Sequence, residues 1–252
     1  TYTGSDPRSA PAVLLTIAFV ESTFGAWHIK GGIGQLSVAL EQRCLDLGVK
    51  FEFNTLVTEI VVNNGRANGI KTQDGKAITS DLVVSNSDAE YTYNKLIKRE
   101  ISEAKTERRK LKVATKSLAG FSLLLGLDNT KGKKVDLSHH NVYFPENYDA
   151  EFDEIFTKKV PVSDPTIYIC APKDDSMVKG VDKEAWFVLV NAPRHDPENG
   201  WNWNSGGDQY SEKIIKKLDR LGLNVSNRID FMKFRTPSDL ENYALAPGGS
   251  IY

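Results

Sequence analysis

The clearest hydrophobic pattern of the chain lies between residues 31 and 88. Over 35–47 apolar residues recur at a period near 3.6, which predicts an amphipathic helix. After Gly48 the period changes to two, and the alternation over 49–54 predicts a half-buried strand. Asn64-Gly65 and Asp74-Gly75 provide the positive φ angles that tight hairpin turns require. Around these turns three more strands are predicted, over 57–62, 67–72 and 77–80. The segment is therefore predicted to be a helix followed by an antiparallel meander.

The remaining chain mixes the same two periods. Helices are predicted within the first forty residues and over 88–116, 147–156 and 208–221. Strands are predicted over 117–127, 166–171, 186–191 and 228–234. The dense apolar residues of 117–127 indicate a strand that is buried on both faces. The predicted fold class is mixed α/β (α+β), a mixed sheet with helices packed on it.

Composition and charge are those of an ordinary globular protein. Apolar residues make up 40% and charged residues 26% of the chain, and the net charge of −1 indicates no nucleic-acid partner. The basic stretches 105–116 and 131–134 favour a solvated face, with contact to a membrane surface as the second interpretation. The longest apolar run, 10–20, is shorter than the ~20 residues that cross a bilayer. Two cysteines without redox spacing fit a reducing, cytoplasmic compartment.

Few local patterns indicate chemistry. Gly31-Gly32-Ile33-Gly34 precedes a helix as a phosphate loop does, but residues 24–30 before it are not a strand, which favours close backbone packing instead. None of the four histidines has a carboxylate or a cysteine at metal-ligand spacing in the sequence. No serine or cysteine elbow accompanies them. We therefore predict no metal site and assign no catalytic residue.

A series of short motifs, weak singly but ordered along nearly the whole chain, resembles one known family. The motifs are Phe24-Gly25-x-Trp27 with Gly31-Gly32, Leu56-Val57-x-Glu59-Ile60, Val83-Val84-Ser85-Asn86-Ser87-Asp88, His139-His140-Asn141-Val142-x-Phe144, Trp186-Phe187-Val188-Leu189-Val190-Asn191-Ala192-Pro193 and Ala246-Pro247-Gly248-Gly249-Ser250-Ile251-Tyr252. On these motifs the chain is similar to the phytoene desaturase family, the bacterial-type carotenoid desaturases.

The resemblance implies FAD as the cofactor and a long polyene, of phytoene or diapophytoene type, as the substrate. Enzymes of this family are membrane-associated and desaturate the polyene by hydride transfer to flavin. The chain has neither of the two glycine-rich FAD motifs of the family and no initiating Met, so we expect an inactive fragment that does not itself hold FAD. By motif match, Val57 lies where a strand backbone approaches the adenine. Ser85, Asn86 and Asp88 lie on a turn near the cofactor.

The resemblance also implies a division of the chain and a path for the polyene. Residues 1–48 are expected to be a helical lead-in on the side of the substrate domain, 49–88 part of the FAD domain, and 89–252 the substrate-binding domain. Buried strands would wall a polyene tunnel, although each of their residues is better interpreted as core. These wall segments are 121–125, 167–170 and 186–190. The apolar helix within 10–19 is the candidate for contact with the inner membrane from the cytoplasm.

Two alternatives stay open at this stage. A polyene isomerase, a saturase or an oxidase of terminal methyl groups would use the same scaffold, because the difference lies in a few residues around the flavin. The other alternative is a catalytically inert module that docks a substrate or a membrane.

Overall fold

A computed structural model of the chain describes residues 4–250, which form a mixed α/β fold with two antiparallel sheets. The helices are α1 (Leu15–Phe24), α2 (Gly34–Asp46), α3 (Ala89–Tyr91), α4 (Ser102–Val113), α5 (Tyr148–Phe152), α6 (Gly207–Arg220) and α7 (Pro237–Ala244). The strands are β1 (Val57–Asn63), β2 (Arg66–Thr72), β3 (Ala77–Thr79), β4 (Ala119–Asp128), β5 (His140–Tyr143), β6 (Ile167–Cys170), β7 (Lys183–Ala192) and β8 (Ile229–Arg235). The predicted fold class is confirmed, but all pairs between these strands are antiparallel where a mixed sheet was predicted.

The small sheet has the strand order β1-β2-β3 that the hairpin signals predict. Asn64 and Gly65 adopt φ angles of 50° and 75°, which close the first turn. One face of the sheet buries Ile60 and Val62 against Leu96, which belongs to a π-helical turn after α3. The chain that follows the meander therefore packs back onto the sheet.

The large sheet has the strand order β5-β6-β7-β4-β8 and holds the main core. Its centre is the ten-residue pairing of β4 with β7. Every second residue of β4, from Phe121 to Leu127, is buried against α6 and the segment after it. Helix α6 contributes Ile214 and Leu218 to this contact. Burial of one strand face and one helix stripe is the arrangement that the two hydrophobic periods require.

Two expectations about strands are wrong. Residues 49–54 alternate in polarity but form no strand, and Phe51 and Phe53 are 39% and 67% exposed. A strand needs a neighbour for its backbone hydrogen bonds, and among residues 4–250 none pairs with this segment. Strand β4 is also not buried on both faces, since Leu124 on its second face is 36% exposed.

Helices α1 and α2 form as predicted, yet their apolar side chains remain exposed. In α1, Leu15, Phe19 and Phe24 are more than 60% exposed. In α2, Val38 and Leu40 are 58% and 57% exposed. Over residues 4–250 no helix combines the length and the apolar character needed to cross a membrane.

Two elements have no counterpart among the predictions. Strand β5 was missed because its residues, His140-Asn141-Val142-Tyr143, carry no clear alternation. Helix α7 was missed because it has only eight residues; a capping box between Thr236 and Asp239 and Pro237 at its first turn mark its start.

Candidate functional site

The second face of the large sheet, opposite α6, carries exposed apolar side chains and is open to solvent over much of its area. We call it the open face. On its β8 edge it also presents Lys233, opposite Leu124, and Arg235, opposite Ser122. Its strand pairs follow from the register: Val142 lies opposite Tyr168, Cys170 opposite Phe187, Phe187 opposite Leu124, and Gly126 opposite Phe231. Paired residues of antiparallel strands point to the same side of a sheet. Val142, Phe187, Leu124 and Phe231 are 36% to 57% exposed, although such side chains are ordinarily buried.

Helix α5 covers one end of the open face. There Phe152 packs on Leu118, and the buried Glu151 carboxylate accepts a hydrogen bond of 3.0 Å from the side-chain amide of Asn191. The other Glu151 oxygen accepts from the Thr166 hydroxyl at 2.5 Å. The open part of the face therefore begins beyond α5 and continues to the edge strand β5.

The strands predicted to wall a polyene tunnel divide between the two faces of the sheet. Their residues on the α6 side are at most 2% exposed and belong to the core: Phe121, Leu123, Leu125, Ile167, Ile169, Trp186, Val188 and Val190. Those on the open face are Ser122, Leu124, Tyr168, Cys170, Phe187 and Leu189. Only the second group is placed to contact a ligand.

The predicted cofactor turn is an ordered structure next to the small sheet. The Ser85 hydroxyl lies 2.8 Å from the Thr92 hydroxyl. Asp88 caps α3 by accepting hydrogen bonds from the backbone amides of Glu90 and Tyr91, at 2.7 and 3.2 Å. Asn86 is exposed between them. Ser85 and Asp88 therefore shape the turn, and Asn86 presents its amide to the surroundings.

Val57 begins the edge strand of the small sheet. The carbonyl of the preceding residue, Leu56, accepts a hydrogen bond of 2.8 Å from the backbone amide of Gln73. Because neighbouring residues of a strand direct their backbone groups to opposite sides, the Val57 amide and carbonyl point away from β2. This orientation fits the predicted backbone contact with an adenine. Val57 and the Asp88 turn belong to one unit, since Tyr91 after the turn packs with Ile60 of β1.

A cluster of polar side chains lies at the β5 edge of the open face. One ring nitrogen of His139, one of His140 and the Cys170 sulfur all lie within 4.8 Å of one another. The Tyr168 hydroxyl is 2.8 Å from Nδ1 of His140. The His28 ring centroid is 4.8 Å from that of His139. Cys170 is about thirty residues from both histidines in the sequence, so no local spacing connects them, and strand pairing places it opposite His140.

Neighbouring groups shift the protonation of this cluster. Burial, together with the adjacent His140 and His28 rings, lowers the pKa of His139. Burial raises the pKa of the Cys170 thiol. Hydrogen bonds from Ser176, the Gly31 amide and His28 lower the pKa of Asp174, whose carboxylate is 2.9 Å from Nε2 of His28. Through its contacts with His28 and Gly31, Asp174 links the loop before α2 to the segment that follows β6.

Comparisons with known proteins show which proteins the chain resembles. Residues 4–110 match the family described as flavin containing amine oxidoreductase. The chain is 34% identical over 88% of its length to a zeta-carotene-forming phytoene desaturase of Myxococcus xanthus, of which it covers 41%. It is 31% identical over its whole length to a 4,4'-diapolycopene oxygenase of Methylomonas sp, of which it covers 49%. The chain thus spans about half the length of these relatives.

The fold also matches a solved structure. An oxidoreductase from Methanosarcina mazei aligns with a TM-score of 0.65, over 92% of this chain and 49% of the other, at 18% sequence identity. That identity supports a shared fold and nothing further. The ordered motifs, the flavin family match and the extended similarity to carotenoid desaturases agree with one another. The chain is therefore a homologue of proteins named as carotenoid and phytoene desaturases, and its first part matches the flavin containing amine oxidoreductase family.

Proposed function

We propose that the protein desaturates a long apolar polyene, of phytoene or diapophytoene type, with FAD as the hydride acceptor. The observation that supports this proposal most strongly is the open face, where Leu124 and Phe187 form an exposed cross-strand pair and Phe231 is exposed on the neighbouring strand, opposite Gly126. A polyene offers no hydrogen-bonding groups, so its binding depends on buried apolar area, at roughly 0.8 kcal/mol for each buried methylene-sized group. The open face supplies such an area.

Residues of this chain would form only part of the cofactor site. FAD, when bound, accepts a hydride from the substrate. The outward backbone of Val57 would contact the adenine, and the turn of Ser85, Asn86 and Asp88 would lie close to the cofactor. The glycine-rich FAD motifs are absent from the sequence. We therefore infer that the 252-residue chain alone holds no flavin and is inactive.

Among the alternatives, an oxidase of the same scaffold has support from a specific observation. One relative that aligns with the whole chain carries the name 4,4'-diapolycopene oxygenase. An isomerase or a saturase would use the same apolar face. These reactions differ in their products, so product analysis separates them without any change in the expected binding surface.

The test is anaerobic reduction of the flavin by phytoene or diapophytoene in a full-length protein that contains this chain. We expect the flavin absorbance to bleach. In the double variant Leu124→Asp/Phe187→Asp the rate at limiting polyene should fall about tenfold or more, because burying a carboxylate against an apolar ligand is unfavourable. Val181→Asp replaces a side chain that is 94% exposed outside the open face and is the matched control.

The outcomes of this experiment separate the parts of the proposal. Flavin that no polyene reduces would refute the substrate and leave the oxidoreductase assignment in place. An equal loss of activity in the double variant and in Val181→Asp would refute the role of the open face. A yellow flavin absorbance in the 252-residue chain alone would refute its inactivity as a lone module.

A membrane surface is the partner we propose, and α1 is the segment that would contact it. Leu15, Phe19 and Phe24 of this helix are 72%, 62% and 67% exposed. An apolar helix of ten residues can lie in the interface of a bilayer without crossing it. The expected result is flotation with liposomes that Phe19→Asp abolishes and Val181→Asp does not. Equal flotation of the two variants would exclude α1 as the contact.

A further inference from the structure

We propose that His139, His140 and Cys170 form a binding site for a divalent transition-metal ion such as Zn²⁺, at the β5 edge of the open face. The three ligand atoms lie within 4.8 Å of one another, and they combine two imidazole nitrogens with one sulfur. This is a donor set that zinc and its neighbours in the periodic table prefer. The inference does not depend on the proposed polyene reaction.

Strand pairing places two of the three ligands, His140 and Cys170, and the third, His139, directly precedes β5. His140 lies directly opposite Cys170 in the β5–β6 register, so both side chains project from the same face. His139 is held in place by its own carbonyl, which accepts a hydrogen bond of 2.8 Å from the Ala171 amide. Metal bonds of about 2.0 to 2.3 Å put ligand atoms about 3.5 Å apart. Side-chain rotations that move the ligand atoms by about 1 Å are therefore enough to bring all three within bonding distance of one ion.

The groups around the ligands are those that support metal-binding histidines. Tyr168 hydrogen-bonds Nδ1 of His140 at 2.8 Å, an outer contact of the kind that orients metal-binding histidines. His140 is exposed, so an ion can enter from solvent. Three protein ligands leave a fourth position of a tetrahedral site for water or another ligand.

The test is a Co²⁺ titration of the purified protein, reduced and dialysed against EDTA. We expect saturation at one equivalent, a near-ultraviolet absorption band from thiolate-to-cobalt charge transfer, and loss of this band when Zn²⁺ displaces the cobalt. Cys170→Ser should abolish the band. Cys44→Ser is the matched control, because Cys44 is the second free cysteine, is also half-buried and lies on α2; its variant should keep the band.

Further variants test the other ligands and the supporting tyrosine. His139→Gln and His140→Gln should each weaken Zn²⁺ binding by more than 100-fold, and Tyr168→Phe by about 10- to 100-fold. Circular dichroism and unfolding in EDTA check that each variant is folded. The proposal is overturned if folded wild-type protein shows no saturable binding. It is equally overturned if Cys170→Ser keeps the band, or if Cys44→Ser loses it.

Discussion

At the scale of single residues, Arg228 is a fully buried cation held by several hydrogen bonds. Its guanidinium donates to Glu184 at 2.9 Å, to Asn129 at 2.6 Å and to the Leu223 carbonyl at 3.0 Å. It also lies 5.3 Å from the centre of the Trp186 ring. These contacts join the segment before β8 to β7 and to the end of β4, and the hydrogen bonds and the ion pair compensate the buried charge.

Replacing Arg228 by Met should destabilise the protein by about 3 to 5 kcal/mol, because the Glu184 carboxylate then loses its buried partner. Urea unfolding followed by circular dichroism measures the change. Lys216→Met is the control, since its ion pair with Glu212 is 3.9 Å long and exposed; it should change stability by at most about 0.5 kcal/mol. Similar losses in the two variants would contradict this account.

Acid should lower the free energy of unfolding, in part because it protonates Asp128. Hydrogen bonds from Lys183 and Thr130 hold the pKa of this carboxyl well below its usual value of 3.8. Because the folded-state pKa is depressed, the stabilisation is complete above the unfolded pKa and is lost as pH falls below it. We expect the free energy of unfolding to fall less steeply from pH 5 downward in Asp128→Asn than in the wild type. Asp81→Asn, at an exposed loop position, should keep the wild-type slope.

At the scale of elements, the small sheet depends on a glycine at a close backbone approach. Gly69 in β2 has a φ of 150°, and a Cβ there would lie 2.1 Å from the Ile78 carbonyl oxygen of β3. Gly65 in the preceding turn also has a positive φ, 75°, but nothing lies within 4 Å of its Cβ position. Substitution at Gly69 therefore tests a steric clash, whereas substitution at Gly65 tests backbone strain alone.

Gly69→Ala should break the pairing of β2 with β3, because the backbone of one strand has to move. Gly65→Ala should cost only about 1 to 2 kcal/mol of strain. Hydrogen exchange of the β2 and β3 amides distinguishes the two effects: protection should be lost in Gly69→Ala and mostly kept in Gly65→Ala. Equal protection in both variants would contradict the steric argument.

At the scale of the whole molecule, stability is concentrated in the large sheet. Phe121 of β4 is completely buried, with ring centroids of Tyr210 and Trp203 at 5.0 and 5.6 Å. Phe53, in the segment that was expected to be a strand, is 67% exposed. The same residue type thus occupies two opposite environments in one chain.

Phe121→Ala should cost about 3 to 5 kcal/mol, because it removes a buried ring and leaves a cavity. Phe53→Ala should change the stability of the 252-residue chain by no more than about 0.5 kcal/mol. Urea unfolding of both variants provides the measurement. A loss for Phe53→Ala close to that for Phe121→Ala would show that residues 49–54 are part of a core.

The division of the chain into a lead-in, a partial FAD domain and a substrate domain, with boundaries after residues 48 and 88, stays a prediction. The structure adds contacts that bear on how such units join. Residues Tyr91 and Leu96 pack on the small sheet, although they follow the second boundary. The Asp174 carboxylate accepts a hydrogen bond of 2.7 Å from the Gly31 amide of the lead-in.

The sequence alone determined the local elements and the resemblance to carotenoid desaturases. Helix α2, the three strands of the meander and α6 follow from periodicity and turn residues, because these features depend on contacts between near neighbours. Tertiary structure decided that the second face of β4 is open, since the unbroken run Leu123-Leu124-Leu125 does not by itself show that Leu124 is exposed. It also decided that residues 49–54 stay unpaired and that Cys170 meets His140. Those outcomes depend on strand neighbours that are distant in the chain, and no local pattern specifies them.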